Sequence, residues 1–110
     1  MAYGLTCQCE KCGYAVPGIE FGAFRTPGIC RMPVFNKASN TVDCINISEN
    51  IPGYGTTLIP YTDKSLKSFF RTLFHGKRFS DWNSHINAHH NYCPQCKSYN
   101  LSFGLNYLVD

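Results

Sequence analysis

Cys9-Glu10-Lys11-Cys12-Gly13-Tyr14, read together with Cys93-Pro94-Gln95-Cys96, decides what fold to expect of this 110-residue chain. A two-residue gap between cysteines lets both sulfurs face one point, while the turn between them offers its amides to the sulfurs. Two such turns supply the four sulfur ligands that zinc takes in closed structural sites. Gly13 follows the first pair, where a residue free to adopt positive φ completes the turn. Pro94 pre-sets the second turn. The metal ligands expected from this spacing are Cys9, Cys12, Cys93 and Cys96. The 80 residues between the pairs exceed the spacing of a simple ribbon. That distance costs little, since loop closure adds only about 0.6 kcal/mol per doubling of length.

These two segments resemble the C-x-x-C-G-Y and C-P-x-C knuckles of zinc-ribbon and rubredoxin-like proteins, including small bacterial zinc-ribbon proteins of unassigned role. The resemblance implies a bound metal and β-knuckle geometry at the chain's two ends, with no activity attached. Lys97 departs from the pattern, because a glycine usually follows the second pair. Rubredoxins hold iron with the same four sulfurs and usually keep both glycines. Zinc is therefore the expected ion and iron the alternative.

Working outward, Tyr3 to Cys7 is a short strand candidate, and the short β-branched runs at Thr41 to Ile47 and Thr56 to Ile59 predict strands. Pro17-Gly18, Pro27-Gly28 and Pro52-Gly53 predict turns. Tyr99, Leu101, Phe103, Leu105 and Tyr107 alternate with smaller polar residues, which predicts a half-buried strand over 98–108. Between these, residues 62–92 read as helical. Thr62 and Asp63 suit a helix start, and Leu66, Phe69, Phe70, Leu73 and Phe74 form an apolar stripe that Gly76 would end. A second helix is expected from Ser80 to about Tyr92, burying Trp82 and Ile86. The expected architecture is a single α+β domain over 1–110. It has a small antiparallel sheet carrying the knuckles and a two-helix insertion at about 62–92, packed on the last strand.

Three cysteines fall outside the pairs. Cys44 reads as core, Cys30 has no assigned role, and Cys7 is a candidate spare ligand. His85 and His89 are weak candidates for a second metal site, with His90 beside them. Lys64, Lys67, Arg71, Lys77 and Arg78 hold five of the ten basic residues. On a helix, several of them would form a face able to track a phosphate backbone.

Net charge does not argue for a nucleic-acid binder, because four thiolates (−4) and one zinc ion (+2) lower the formal +3 to +1, and only the local pattern can. An odd seven cysteines fits poorly with a secreted disulfide framework. The N-terminal segment lacks the basic, apolar and small-residue regions of a secretory signal, and no run is long enough to span a membrane. A cytoplasmic location is therefore expected. No H-E-x-x-H, phosphate-binding glycine loop or nucleophile elbow is present, and a four-cysteine zinc has no open position for substrate. The expected function is a non-enzymatic, zinc-stabilised binding module with a protein partner. A nucleic-acid-binding zinc protein using the basic face and a rubredoxin-like iron electron carrier are the alternatives.

Overall fold

The computed structural model describes residues 2–25, 28–62, 78–81 and 84–109. Eight strands account for its regular structure: β1 (Ala2–Cys9), β2 (Ala15–Ala23), β3 (Cys30–Asn36), β4 (Thr41–Asn46), β5 (Leu58–Pro60), β6 (Arg78–Asp81), β7 (Ser84–Asn87) and β8 (Leu101–Val109). Six form one sheet in the order β4-β3-β2-β1-β8, with β5 also paired to β3, and β6-β7 is a separate hairpin. All the pairings are antiparallel.

This overturns the α+β expectation, since no helix is present among the described residues. The second expected helix is instead the β6-β7 hairpin, with Phe79 opposite Ile86. Both residues are buried, and the Phe79 ring packs 5.4 Å from that of Tyr3. Ser80, Asp81, Asn83, Ser84, His85 and Asn87 are all mediocre helix formers. Burying Phe79 and Ile86 against the sheet therefore outweighs the weak local helix preference. The first expected helix, from Asp63 to Gly76, lies outside the described residues; Thr62, just before it, bridges to Ile86.

Two strands went unpredicted because their breakers have other uses. Pro17-Gly18 is a bulge inside β2 and not a turn: the register with β1 slips between Leu5↔Ile19 and Cys7↔Val16, and Gly18 takes φ +75°. Pro33 lies within β3, where β2 stops pairing at Arg31 and β5 starts at Val34. Having no N–H to offer, a proline fits that gap in the ladder. Its carbonyl accepts from the Tyr61 amide at 3.1 Å. The Cys44 thiol bridges back to β2, donating to Glu20 O (3.2 Å) and accepting from Glu20 N (3.4 Å).

The expected strands near β1, β4, β5 and β8 are present within a few residues. β8 alternates as read up to Phe103, then a bulge shifts its register against β1 between Leu5↔Leu105 and Gly4↔Tyr107. Leu105, the last residue before it, and Tyr107, beyond it, are half exposed, with the Tyr107 ring lying where a Cβ on Gly4 would stand. The core lies on the face that carries Leu5, Cys7, Cys9, Leu101 and Phe103. Tyr61 is the largest fully buried side chain among the described residues, packed edge-on against Phe103 at 5.5 Å and donating its hydroxyl to Tyr92 O at 2.8 Å.

Candidate metal centre

The β1-β8 ladder brings the two cysteine pairs together. β1 ends at Cys9, whose partner across the ladder is Leu101, the first residue of β8. The first knuckle leaves β1 there, and the second arrives just before β8. Glu10 N donates to Asn100 O (2.9 Å), and Asn91 and Leu101 exchange both backbone hydrogen bonds at 2.9 and 3.0 Å.

The knuckles share one backbone plan. In the first, Cys9 N donates to Tyr14 O at 2.7 Å and Gly13 N to Cys9 O at 3.1 Å. In the second, Cys93 N donates to Ser98 O and Lys97 N to Cys93 O, both at 2.8 Å. Gly13 and Lys97 hold the same position and the same left-handed backbone, with φ +80° and +59°. The departure at Lys97 is thus in residue type only, and the turn keeps its glycine geometry.

Each sulfur accepts hydrogen bonds in a matching pattern. The amides of Cys12 and Lys11 donate to Cys9, and those of Cys96 and Gln95 to Cys93. The amide of Tyr14 donates to Cys12, and that of Ser98 to Cys96. The Ser98 hydroxyl adds a contact to Cys96 at 3.0 Å. Sequence reasoning missed Ser98, and its only signal was a small hydroxyl residue two places after the last cysteine. Side chains tie both knuckles to the β3–β4 hairpin: Tyr14 OH accepts from Val42 N at 3.1 Å, and Gln95 Nε2 donates to Asn40 O at 2.8 Å.

The four sulfurs lie within 4.8 Å of one another, and they are the only group of three or more potential ligands among the described residues. Cys9 Sγ is 3.6 Å from Cys96 Sγ, and Cys12 Sγ is 3.7 Å from Cys93 Sγ. These separations are too long for disulfides, and all seven cysteines are free. They match the edge of about 3.8 Å of a regular tetrahedron with metal–sulfur bonds of about 2.3 Å. The cluster is therefore able to hold a metal ion, and its donor set and spacing fit one.

The four thiols differ as acids. Burial pushes Cys93 up to about 12, whereas the Ser98 hydroxyl draws Cys96 down to about 6. Cys9 also lies below its ordinary value: burial opposes ionisation there, but the amides of Cys12 and Lys11 outweigh it. Cys12 lies above its ordinary value, because the Tyr14 amide is outweighed by desolvation and the sulfurs of Cys9 and Cys96, so ionisation is favoured at Cys9 and Cys96 and opposed at Cys12 and Cys93.

The remaining sequence candidates do not join the cluster. Cys7 is fully buried opposite Phe103, and burial pushes its thiol up to about 12. Cys44 is half-buried and occupied by Glu20. His89 is exposed, with Nδ1 3.2 Å from Ser102 Oγ, and its ring lies 6.4 Å from that of His90; His85 is in β7. Lys64, Lys67, Arg71 and Lys77 lie outside the described residues, and Arg78 begins β6.

No protein-family model matches the chain, and neither does any curated protein or solved structure. No described helix is long and apolar enough to cross a membrane.

Proposed function

We propose that this chain is a small metal-binding module in which Cys9, Cys12, Cys93 and Cys96 hold one zinc ion in a closed structural site. The module serves as a non-enzymatic platform for a protein partner. The observation that carries this reading is the pair of cross-knuckle sulfur separations, 3.6 and 3.7 Å, at the edge length of a sulfur tetrahedron. The matched amide bonds to all four sulfurs support it, because they stabilise thiolates without consuming a coordination position.

A zinc with four sulfurs polarises no water and binds no substrate directly. What it does is fix the two knuckles to each other and to the β3–β4 hairpin. The rigid end so formed presents exposed Lys11, Gln95 and Lys97 to a partner.

Elemental analysis of purified protein, with its absorption spectrum, tests the metal. Colourless protein with one zinc per chain is expected. Red protein with one iron would make the centre a rubredoxin-like electron carrier, and protein that takes up neither metal would end the reading. Replacing the ion with cobalt(II) should give the visible bands of tetrahedral thiolate coordination, and Cys12→Ser should abolish them.

A further inference from the structure

Each knuckle sends one side chain to the same short stretch of the β3–β4 hairpin. Tyr14, which closes the first knuckle, accepts from Val42 N through its hydroxyl at 3.1 Å. Gln95, inside the second, donates from Nε2 to Asn40 O at 2.8 Å. The stretch they reach is braced without help from either knuckle. Lys37 N donates to Thr57 O at 2.9 Å, Asn36 Oδ1 accepts from the amides of Ala38 and Ser39, and Ser39 Oγ lies 2.6 Å from Thr41 Oγ1. Asn36 Nδ2 and the Thr41 hydroxyl both donate to the Asp43 carboxylate. The β1-β8 ladder already aligns the bases of the knuckles, through Cys9↔Leu101 and the bond from Glu10 N to Asn100 O. Two anchors on one braced turn add a second, independent constraint on how the knuckles stand to each other.

We propose that Tyr14 and Gln95 are positioning residues of the metal centre, which make the β3–β4 turn a bracket that favours the metal-binding spacing of the two knuckles in the metal-free protein. The proposal rests on the metal-site reading above. Neither side chain is a ligand, and both act through the backbone of the turns that carry the four cysteines. A site that binds only when its halves stand at the right spacing has its affinity reduced by the fraction of molecules in which they do. The bracket raises that fraction, and the coupling is reciprocal, so a bound ion in turn firms both anchors. The anchors work as a pair. With either one gone, one knuckle is no longer referenced to the hairpin, and the remaining anchor cannot set the distance between them.

Metal affinity of the full-length chain is the test, read with cobalt(II) and then zinc against a competing chelator. The variants are Tyr14→Phe, Gln95→Glu, Gln95→Lys, and Tyr14→Phe combined with Gln95→Glu. Tyr14→Phe and Gln95→Glu should each weaken binding about two- to fivefold, the worth of one modest hydrogen bond. The combined variant should be no weaker than the weaker of its two parents, whereas independent contacts would multiply. Gln95→Glu loses the donor and adds a negative charge that by itself favours a cation. Gln95→Lys keeps a donor for Asn40 O, adds a positive charge, and should still bind as wild type does. The cobalt bands should keep their positions in every variant, because the loaded site is the same and only the cost of reaching it changes.

Unchanged metal affinity in Tyr14→Phe and Gln95→Glu would overturn the proposal even if Tm fell, since both bonds would then be structural only. So would tighter binding by Gln95→Glu, or Gln95→Lys binding as poorly as Gln95→Glu. Losses that multiply in the combined variant would make the contacts independent and end the bracket. Tyr14→Phe leaves Val42 N without that acceptor; if that variant does not fold, Gln95→Glu and Gln95→Lys, at an exposed position, decide alone. Wild-type protein that takes up neither metal retires the metal-site reading and the bracket with it, whereas a wild type that binds metal leaves the variants to judge the bracket alone.

Discussion

Lys97→Gly should make the protein more stable. Lys97 holds φ +59° after the second cysteine pair, where Gly13 holds φ +80° after the first. A side chain in the left-handed region costs roughly 1–2 kcal/mol per residue, which glycine does not incur. Glycine gives back part of that gain, about 0.5–1 kcal/mol, through the greater freedom of the unfolded chain. The net expectation for Lys97→Gly is a stabilisation of about 0.5–1 kcal/mol, or a few degrees in Tm for a domain of this size. Gly13→Ala is the mirror experiment. Nothing lies within 4 Å of a Cβ built there, so only the backbone is penalised and the loss should be about 1 kcal/mol. Lys97→Ala removes the ammonium group and keeps the strain, which separates charge from conformation. Thermal melts of the metal-saturated proteins, followed by circular dichroism, give the comparison. If Lys97→Gly lowers Tm while Lys97→Ala leaves it unchanged, the argument from knuckle symmetry is wrong.

Ser98→Ala should weaken zinc binding about fivefold, the worth of one hydrogen bond of about 1 kcal/mol, as read by competition with a chelator; an unchanged affinity would mean that the 3.0 Å contact to Cys96 does not stabilise the thiolate. Apparent zinc affinity should rise with pH by at least about one logarithmic unit per pH unit between pH 6 and 8, because the Cys93 thiol, at about 12, keeps its proton until the metal displaces it. The sign is fixed, since acid favours the protonated ligand, and a flat profile in a titration series would refute it. Ile86→Ala should cost about 2–5 kcal/mol in chemical denaturation if the β6-β7 hairpin is packed as described, and a cost below 1 kcal/mol would show that it is not. Stripping the metal should raise amide exchange at Gly13, Cys93 and Lys97 while leaving Leu5 and Phe103 protected; uniform loss of protection would place the metal at the centre of the fold.

The cluster could be read in the sequence because its information is local. Two residues between cysteines confine the sulfurs whatever the rest of the chain does, so four positions on two turns were enough. Strands with plain alternation were equally legible, as in Thr41–Asn46 and the first half of β8. What escaped was decided by distant contacts. Ile86 follows Trp82 by four residues, a spacing that suits a helix, yet its observed cross-strand partner is Phe79 and the layer they join contains Tyr3. Pro17 and Pro33 look like breakers until β1 and β5 are in place, when one becomes part of a bulge and the other fills the gap between two neighbours of β3. The backbone of Lys97 was hidden for a related reason. Residue type alone argues against positive φ, and only the hydrogen bond from its amide to Cys93 O requires it.

The fold also determines how much a metal can contribute. In the smallest zinc domains the ion is the core, and its removal unfolds the chain. Here β1 and β8 are already paired from Ala2↔Val109 to Cys9↔Leu101, and their inner side chains are buried. The loop of 80 residues between Cys12 and Cys93 is therefore closed by the ladder before the ion arrives. The entropic advantage of a long-range cross-link has largely been taken by the strands. What is left for the ion is to hold the turns beyond the end of the ladder, where Gly13 and Lys97 keep unfavourable or permissive backbone geometry and Cys12 is open to solvent. Occupancy can then change the shape of one end without unfolding the sheet, which makes that end, including Gln95 against Asn40, the part of the molecule whose form depends on the metal.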